Sequence, residues 1–195
     1  MAEESTTNRS KRVDCILRSA IPVFAQHGYR RTSMRLLADA AGISRPALYQ
    51  YFADRAAIFL SAFQLLLDEN TDAALIALAN GDSLESQIDG YLQRLVGDPY
   101  ATLSSSNFGD ELMEIKGQLG GTEVSTAIGR ASHGLLTHLA AMDDVDQSNA
   151  RQAVELITLA VGGLKQDRPS VEVFRERLTF LALSAASTLQ PINQV

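Results

Sequence analysis

The chain has 195 residues, 46% of them hydrophobic, and 17 Lys/Arg against 23 Asp/Glu for a net charge of −6; this is enough apolar material for one large core, or for a small domain joined to a larger one. No apolar run approaches the ~20 residues that span a bilayer, the polar start MAEESTTNRSKR has no hydrophobic leader, and Cys15 as the single cysteine excludes an internal disulfide framework. A cytoplasmic protein with no membrane partner is expected.

Residues 1–9, rich in Ser, Thr and Glu, are expected to be a flexible arm. Its basic end, from Arg9 to Arg12, is open to two readings: an arm that reaches DNA, or a solvated tail. An amphipathic helix is expected over 10–27, with Ile16, Leu17, Ala20, Ile21, Phe24 and Ala25 as its core stripe. Pro22 costs it a kink or a hydrogen bond, and Gly28 ends it. Cys15 on this helix reads as a small core or interface residue in preference to a redox switch.

Residues 33–55 carry the most information. Ser33 caps a short helix whose buried stripe is Leu36, Leu37, Ala40 and Ala41, and Gly42 supplies the positive φ that ends it. Ile43 fills the turn, Ser44 caps the next helix, and Pro46 sits in the first turn, where its missing N–H does no harm. In that second helix, running to about Phe52, Leu48 and Phe52 face inward and Arg45, Ala47, Tyr49, Gln50 and Tyr51 stay free. This is the layout of a DNA-reading helix-turn-helix, with a plain helical hairpin as the alternative. Charge favours DNA: nine Lys/Arg against five Asp/Glu leave +4 through residue 60, while the remaining eight bases and eighteen acids leave −10. Local phosphate neutralisation matters more than whole-chain acidity.

A long helix is expected over 55–79, with Ile58, Phe59, Ala62, Phe63, Leu66 and Leu67 as its apolar face, a lever that runs from the reading head into the C-terminal helices. Gly81-Asp82 ends it and Ser83 starts a helix to about Val96, which Asp98-Pro99 breaks. Residues 99–121 are irregular around a helix at 108–119, a gate or a simple connection. Helices come next at 122–142, 147–164 and 170–189, separated by Asp143-Asp144 and by Gln166 to Pro169. The fold class is all-α with about nine helices. Ala153, Leu156, Ile157, Ala160, Val161 and Leu164 form one stripe; Val173, Phe174, Leu178, Leu181, Ala182, Ala185 and Ala186 form another, broader than one buried face requires. Pairing with a second copy accounts for that breadth, and burial within one subunit is the alternative.

The residues between 10 and 60, Phe24-Ala-Gln-His-Gly28-Tyr29, Thr32-Ser33-Met34, Leu37-Ala38, Ala41-Gly42-Ile43-Ser44, Leu48-Tyr49-Gln50-Tyr51-Phe52 and Arg55, resemble the TetR-type transcriptional regulators. The resemblance implies an N-terminal three-helix helix-turn-helix DNA-binding domain (10–54) and a larger helical ligand-binding and dimerisation domain (55–195). It also implies a homodimer through the last two helices, a palindromic double-stranded operator, and repression released by a small molecule. Carried onto this chain, Arg45 and Gln50 read base edges; Ser33, Ser44, Tyr49, Tyr51 and Arg55 suit phosphates; Met34 and Arg35 lie near the DNA backbone, Ala47 meets a thymine methyl, and Pro46 shares that surface. One departure is Arg55-Ala56 where the family often has Lys-Glu. Phe59, Phe63, Leu92, Leu95, Phe108, Met113, Leu135 and Met142, with His133 and His138 as polar anchors, are candidate pocket residues for a largely apolar effector. No nucleophile, phosphate loop or metal-ligand cluster is present at recognisable spacing, so neither an enzyme nor a metal or cofactor is expected. The rival reading is a helical protein-interaction module whose helix-turn-helix no longer serves DNA.

Overall fold

A computed structural model describes residues 2–143 and 145–189, with side chains from Asn8 onward. Met1, Asp144 and 190–195 lie outside the described residues, and with them the first residue of the expected arm and one aspartate of the expected 143–144 break. The described residues are helical, with no strand among them.

Helix α1 (Ala2–Arg31) starts well before the expected position near residue 10. The apolar period marks where the helix packs; once a helix is nucleated, polar residues extend it at one hydrogen bond each. Pro22 is exposed and does not interrupt it, whereas Gly28 breaks the run with φ +74° and ψ 168°. Cys15 is exposed while its neighbour Ile16 is buried, so of the two expected placements, core or interface, the core one does not hold. The helix phase turns it away from the packed face.

α2 (Met34–Ala40) and α3 (Arg45–Tyr49) flank the Gly42 turn, where φ is +66°. α4 (Arg55–Asn80) is next, close to the 55–79 expected. Asp54 caps it: its Oδ1 accepts from the Ala57 N–H at 2.8 Å. After α5 (Leu84–Leu92), the expected break at Asp98-Pro99 does not occur. A π-helical turn (Gln93–Gly97) passes directly into α6 (Asp98–Ser104). Pro99 sits in the first turn of α6, where its lack of an N–H costs nothing. α7 (Gly109–Leu119), α8 (Gly121–Ala140), α9 (Gln147–Leu164) and α10 (Val171–Leu189) complete the order. With the run from α5 to α6 taken as one, nine helices stand among the described residues. None is long and apolar enough to cross a membrane.

Two compact units form, and each is assembled from separate stretches of chain. The first joins Met1–Leu66 with Leu103–Glu123; the second joins Leu67–Thr102 with Val124–Val195. In the first, Ile16, Ala20 and Phe24 of α1 pack with Leu37, Leu48, Ile58 and Phe59, and with Leu112 and Ile115 of α7. In the second, Leu78, Ile88, Leu92, Leu135, Leu139, Phe174 and Leu178 form the centre. Phe174 is fully buried, with the Tyr100 ring 4.3 Å away, centroid to centroid. Such a side chain contributes about 2–3 kcal/mol through burial alone. The Tyr100 hydroxyl donates to the Pro169 carbonyl at 2.6 Å and anchors the approach to α10.

Candidate nucleic-acid interface

The helix-turn-helix is built from two caps and one glycine. The Ser33 hydroxyl accepts from the Leu36 N–H (3.2 Å) and the Ser44 hydroxyl from the Ala47 N–H (3.3 Å), so each short helix has an orphan donor satisfied at its start. Leu48, fully buried, roots α3 in the core. The opposite side of α3 then presents Ser44, Arg45, Pro46, Tyr49 and Gln50 as exposed residues, with Ser33 and Arg35 exposed on α2.

Individual side chains are partly organised. Arg45 lies over the Tyr49 ring (5.6 Å to its centroid), with a long hydrogen bond of 3.3 Å to the phenol. Arg35 is 3.8 Å from Asp39, and both are largely exposed. Ala47 is half-buried, and Met34 is buried in the core of the first unit with only its backbone at the helix start. Tyr51 is half-buried beneath Arg9, whose guanidinium stands 5.2 Å from the ring centroid and donates to the Gln50 carbonyl at 3.1 Å. Arg9 thus caps the carbonyl end of the α3 segment, where positive charge complements the helix dipole. Arg55 is half-buried, and its Nη1 donates to the Arg30 and Thr32 carbonyls at 3.0 and 2.7 Å.

Several contacts to this head had no local sequence signal. The Arg30 N–H donates to Glu111 Oε1 (2.6 Å), the Arg30 guanidinium to both Glu114 oxygens (3.1 and 3.2 Å), and the Ser106 hydroxyl to the Ala25 carbonyl (2.9 Å). Arg31 lies over the Phe108 ring at 5.5 Å. α7 and the turn before it therefore grip the end of α1. Electrostatics change accordingly: counted as folded, the first unit holds ten Lys/Arg and nine Asp/Glu, because α7 brings Asp110, Glu111 and Glu114 and the unit extends to Glu123. Six of the ten bases, Arg9, Lys11, Arg12, Arg18, Arg30 and Arg31, lie on α1, so basic character belongs to that helix and not to the unit as a body.

The candidate pocket residues divide between the units. Phe59, Phe63, Phe108 and Met113 fall in the first, where Phe59 packs edge-on to Phe24 and Tyr29. Leu92, Leu95, His133, Leu135, His138 and Met142 fall in the second. There Leu92 and Leu135 are core residues, Leu95 and Met142 pack against the core, and His133 is exposed. His138 Nε2 stands 2.8 Å from Gln87 Oε1, so His138 joins α8 to α5, and Gln87 Nε2 in turn donates to the Gly81 carbonyl just after α4.

Residues 16–62, which include the caps, the Gly42 turn and α3, match the family model of bacterial regulatory proteins of the tetR family. The HTH-type transcriptional activator FasR of Mycolicibacterium smegmatis is 37% identical over 60 residues, 31% of this chain and 27% of that protein. The HTH-type transcriptional regulator RutR of Escherichia coli is 31% identical over 71 residues, covering 34% of each. The chain thus spans between about a quarter and a third of the length of these two curated relatives. Two solved structures share the fold over nearly the whole chain. A TetR transcription regulator from Haloarcula marismortui superposes with a TM-score of 0.64 at 17% identity, covering 93% of this chain and 99% of that one. The TetR family repressor AlkX of Dietzia gives 0.61 at 17%, covering 91% and 98%. The capped helix-turn-helix thus lies inside a segment, residues 16–62, that matches the tetR family model, and the all-α fold of the chain is the one those solved TetR-type regulators share.

Proposed function

We propose that this protein is a DNA-binding transcriptional regulator that acts as a cytoplasmic homodimer on a palindromic operator and represses until a small molecule releases it. The observation that carries the reading is the exposed row Ser44, Arg45, Tyr49 and Gln50, held on a short helix that is capped at one end and pinned by Leu48. Guanidinium and side-chain amide are the groups that pair with guanine and adenine in the major groove, and Tyr49, Ser33, Ser44 and Arg35 suit the flanking phosphates.

In this reading 10–54 is the DNA-binding domain, 55–195 takes up effector and partner, and 1–9 is an arm. The dimer is supported by a row of unusually exposed apolar side chains on the last two helices, Leu156 and Leu159 on α9 with Phe180 and Leu183 on α10. Exposed apolar patches of this kind mark association surfaces, and two reading helices reach successive major grooves only when held about 34 Å apart. The effector in this reading is a largely apolar molecule, with Leu95, His138 and Met142 of the second unit as its candidate contacts. AlkX and FasR, which are described as a repressor and an activator, indicate that relatives of this fold work in either sense.

The test is binding of the purified chain to DNA from upstream of its own gene, in a salt series, with and without apolar candidate effectors. Specific retention that an effector abolishes is expected. An intact dimer that binds no DNA at low salt would leave the protein-interaction reading standing.

A further inference from the structure

We propose that Arg55 is a positioning residue of the reading head: it sets the junction between α1 and α2, and through it Ser33 and Arg35, in place of contacting a phosphate itself. The inference rests on the DNA-reading function proposed above. Arg55 is the first residue of α4, and Asp54 immediately before it fixes that helix start. Nη1 carries two hydrogens, and the Arg30 and Thr32 carbonyls take one each, at 3.0 and 2.7 Å. The guanidinium also lies 4.2 Å from the Tyr29 ring centroid, so that aromatic face is covered. Tyr29 is itself fixed by Phe59 of α4 and Phe24 of α1, at 5.1 and 6.1 Å.

These contacts converge on a short stretch of backbone. Arg55 holds the carbonyls on either side of Arg31, and the Thr32 hydroxyl donates back to the Gly28 carbonyl at 2.6 Å. The next residue is Ser33, the cap of α2. Arg55 therefore ties the start of α4 to the peptide that aims the cap, with Nη1 committed to both carbonyls and one guanidinium face to Tyr29. Charge-assisted bonds to two carbonyls with a stacked ring form a geometry that planar guanidinium satisfies and a point-charge ammonium does not.

The full chain and its Arg55→Lys and Arg55→Met variants are titrated against a DNA fragment selected from a random-sequence pool by the wild-type protein, and against an unrelated fragment, across a salt series. Both variants are expected to lose about tenfold in binding to the selected fragment, the lower range of one charge-assisted hydrogen bond. Binding to the unrelated fragment and the slope of log K against log salt stay as in wild type, so the specific-to-unspecific ratio falls, which simple loss of folded protein does not produce. The inference is overturned if Arg55→Lys restores wild-type affinity, or if Arg55→Met lowers the salt slope by about 0.9 per reading head, the signature of one lost phosphate contact. Should Arg55→Met fail to fold, the cycle of Arg55→Lys with Ser33→Ala decides. Ser33→Ala costing less in the Arg55→Lys background supports positioning, and independent effects refute it. A wild-type chain that selects no DNA at all sinks the DNA-reading function itself, a result distinct from either Arg55 outcome.

Discussion

Gly28 carries two constraints at once. Its φ of +74° is a conformation that L side chains rarely adopt, and a Cβ built there would stand 2.6 Å from Glu111 Oε2 and 2.8 Å from the Phe108 ring. Gly28→Ala should therefore cost about 2 kcal/mol or more, combining left-handed strain with displacement of the Glu111 latch. Denaturant unfolding measures this, and Glu111→Ala should cost less in the Gly28→Ala background than alone, since the latch is already displaced. At the proposed DNA face, Arg45→Ala should relax preference at one base pair per half-site by about 1–3 kcal/mol. Competition with single-base operator variants reads the difference. A uniform loss across all variants would place Arg45 on the backbone instead.

α3 has five residues and cannot hold itself as an isolated helix. Its order comes from the Ser44 cap, Leu48 in the core and Arg9 on the Gln50 carbonyl. Ser44→Ala should lower stability by about 1 kcal/mol and weaken DNA binding beyond that loss, because the reading residues fray with the helix; equal effects on both would separate the cap from recognition. A second element depends on charge. Arg175 on α10 donates to Asp98 Oδ1 at 2.7 Å and to Gln93 Oε1 at 2.9 Å, which fastens α10 to the π-helical run. Burial pushes the Asp98 carboxyl up, but hydrogen bonds from Arg175 and Arg94 outweigh it and hold it below the usual carboxylate range. A carboxyl depressed in the folded state stabilises above its unfolded value, near 4, and that contribution is lost as pH falls through the lower folded value. Asp98→Asn should therefore shallow the acid limb of a stability-against-pH curve and leave the alkaline limb as it was. An unchanged acid limb would remove Asp98 from the account.

At the level of the assembly, Leu159 and Phe180 are 67% and 70% exposed in the isolated chain. Such exposure of large apolar residues on adjoining helices is costly in water, and the proposed dimer would relieve it. Phe180→Asp should yield a folded monomer in sedimentation at concentrations where the wild type is dimeric. Its operator affinity should fall by orders of magnitude, since one head loses the second half-site. A dimer that survives both Phe180→Asp and Leu159→Asp would move the association surface elsewhere.

The short-range features were legible because their causes lie within four residues. Ser33, Ser44 and Ser83 each cap a helix through the third following amide, Gly28 and Gly42 take the positive φ that breaks or ends a helix, and the 3.6-residue period placed α4, α7 and α9 almost to the residue. The same locality misread Pro99, because whether a proline breaks or begins a helix depends on the preceding turn, here π-helical. It also could not see that Arg55 is occupied by the Arg30 and Thr32 carbonyls, or that Glu111 and Glu114 reach Arg30 from more than 80 positions away. Chain order alone makes the N-terminal segment a self-contained basic head. Packing decides otherwise, because α1 ends in a break whose backbone donor and space are filled by a carboxylate from α7, and no local pattern encodes which distant helix supplies it.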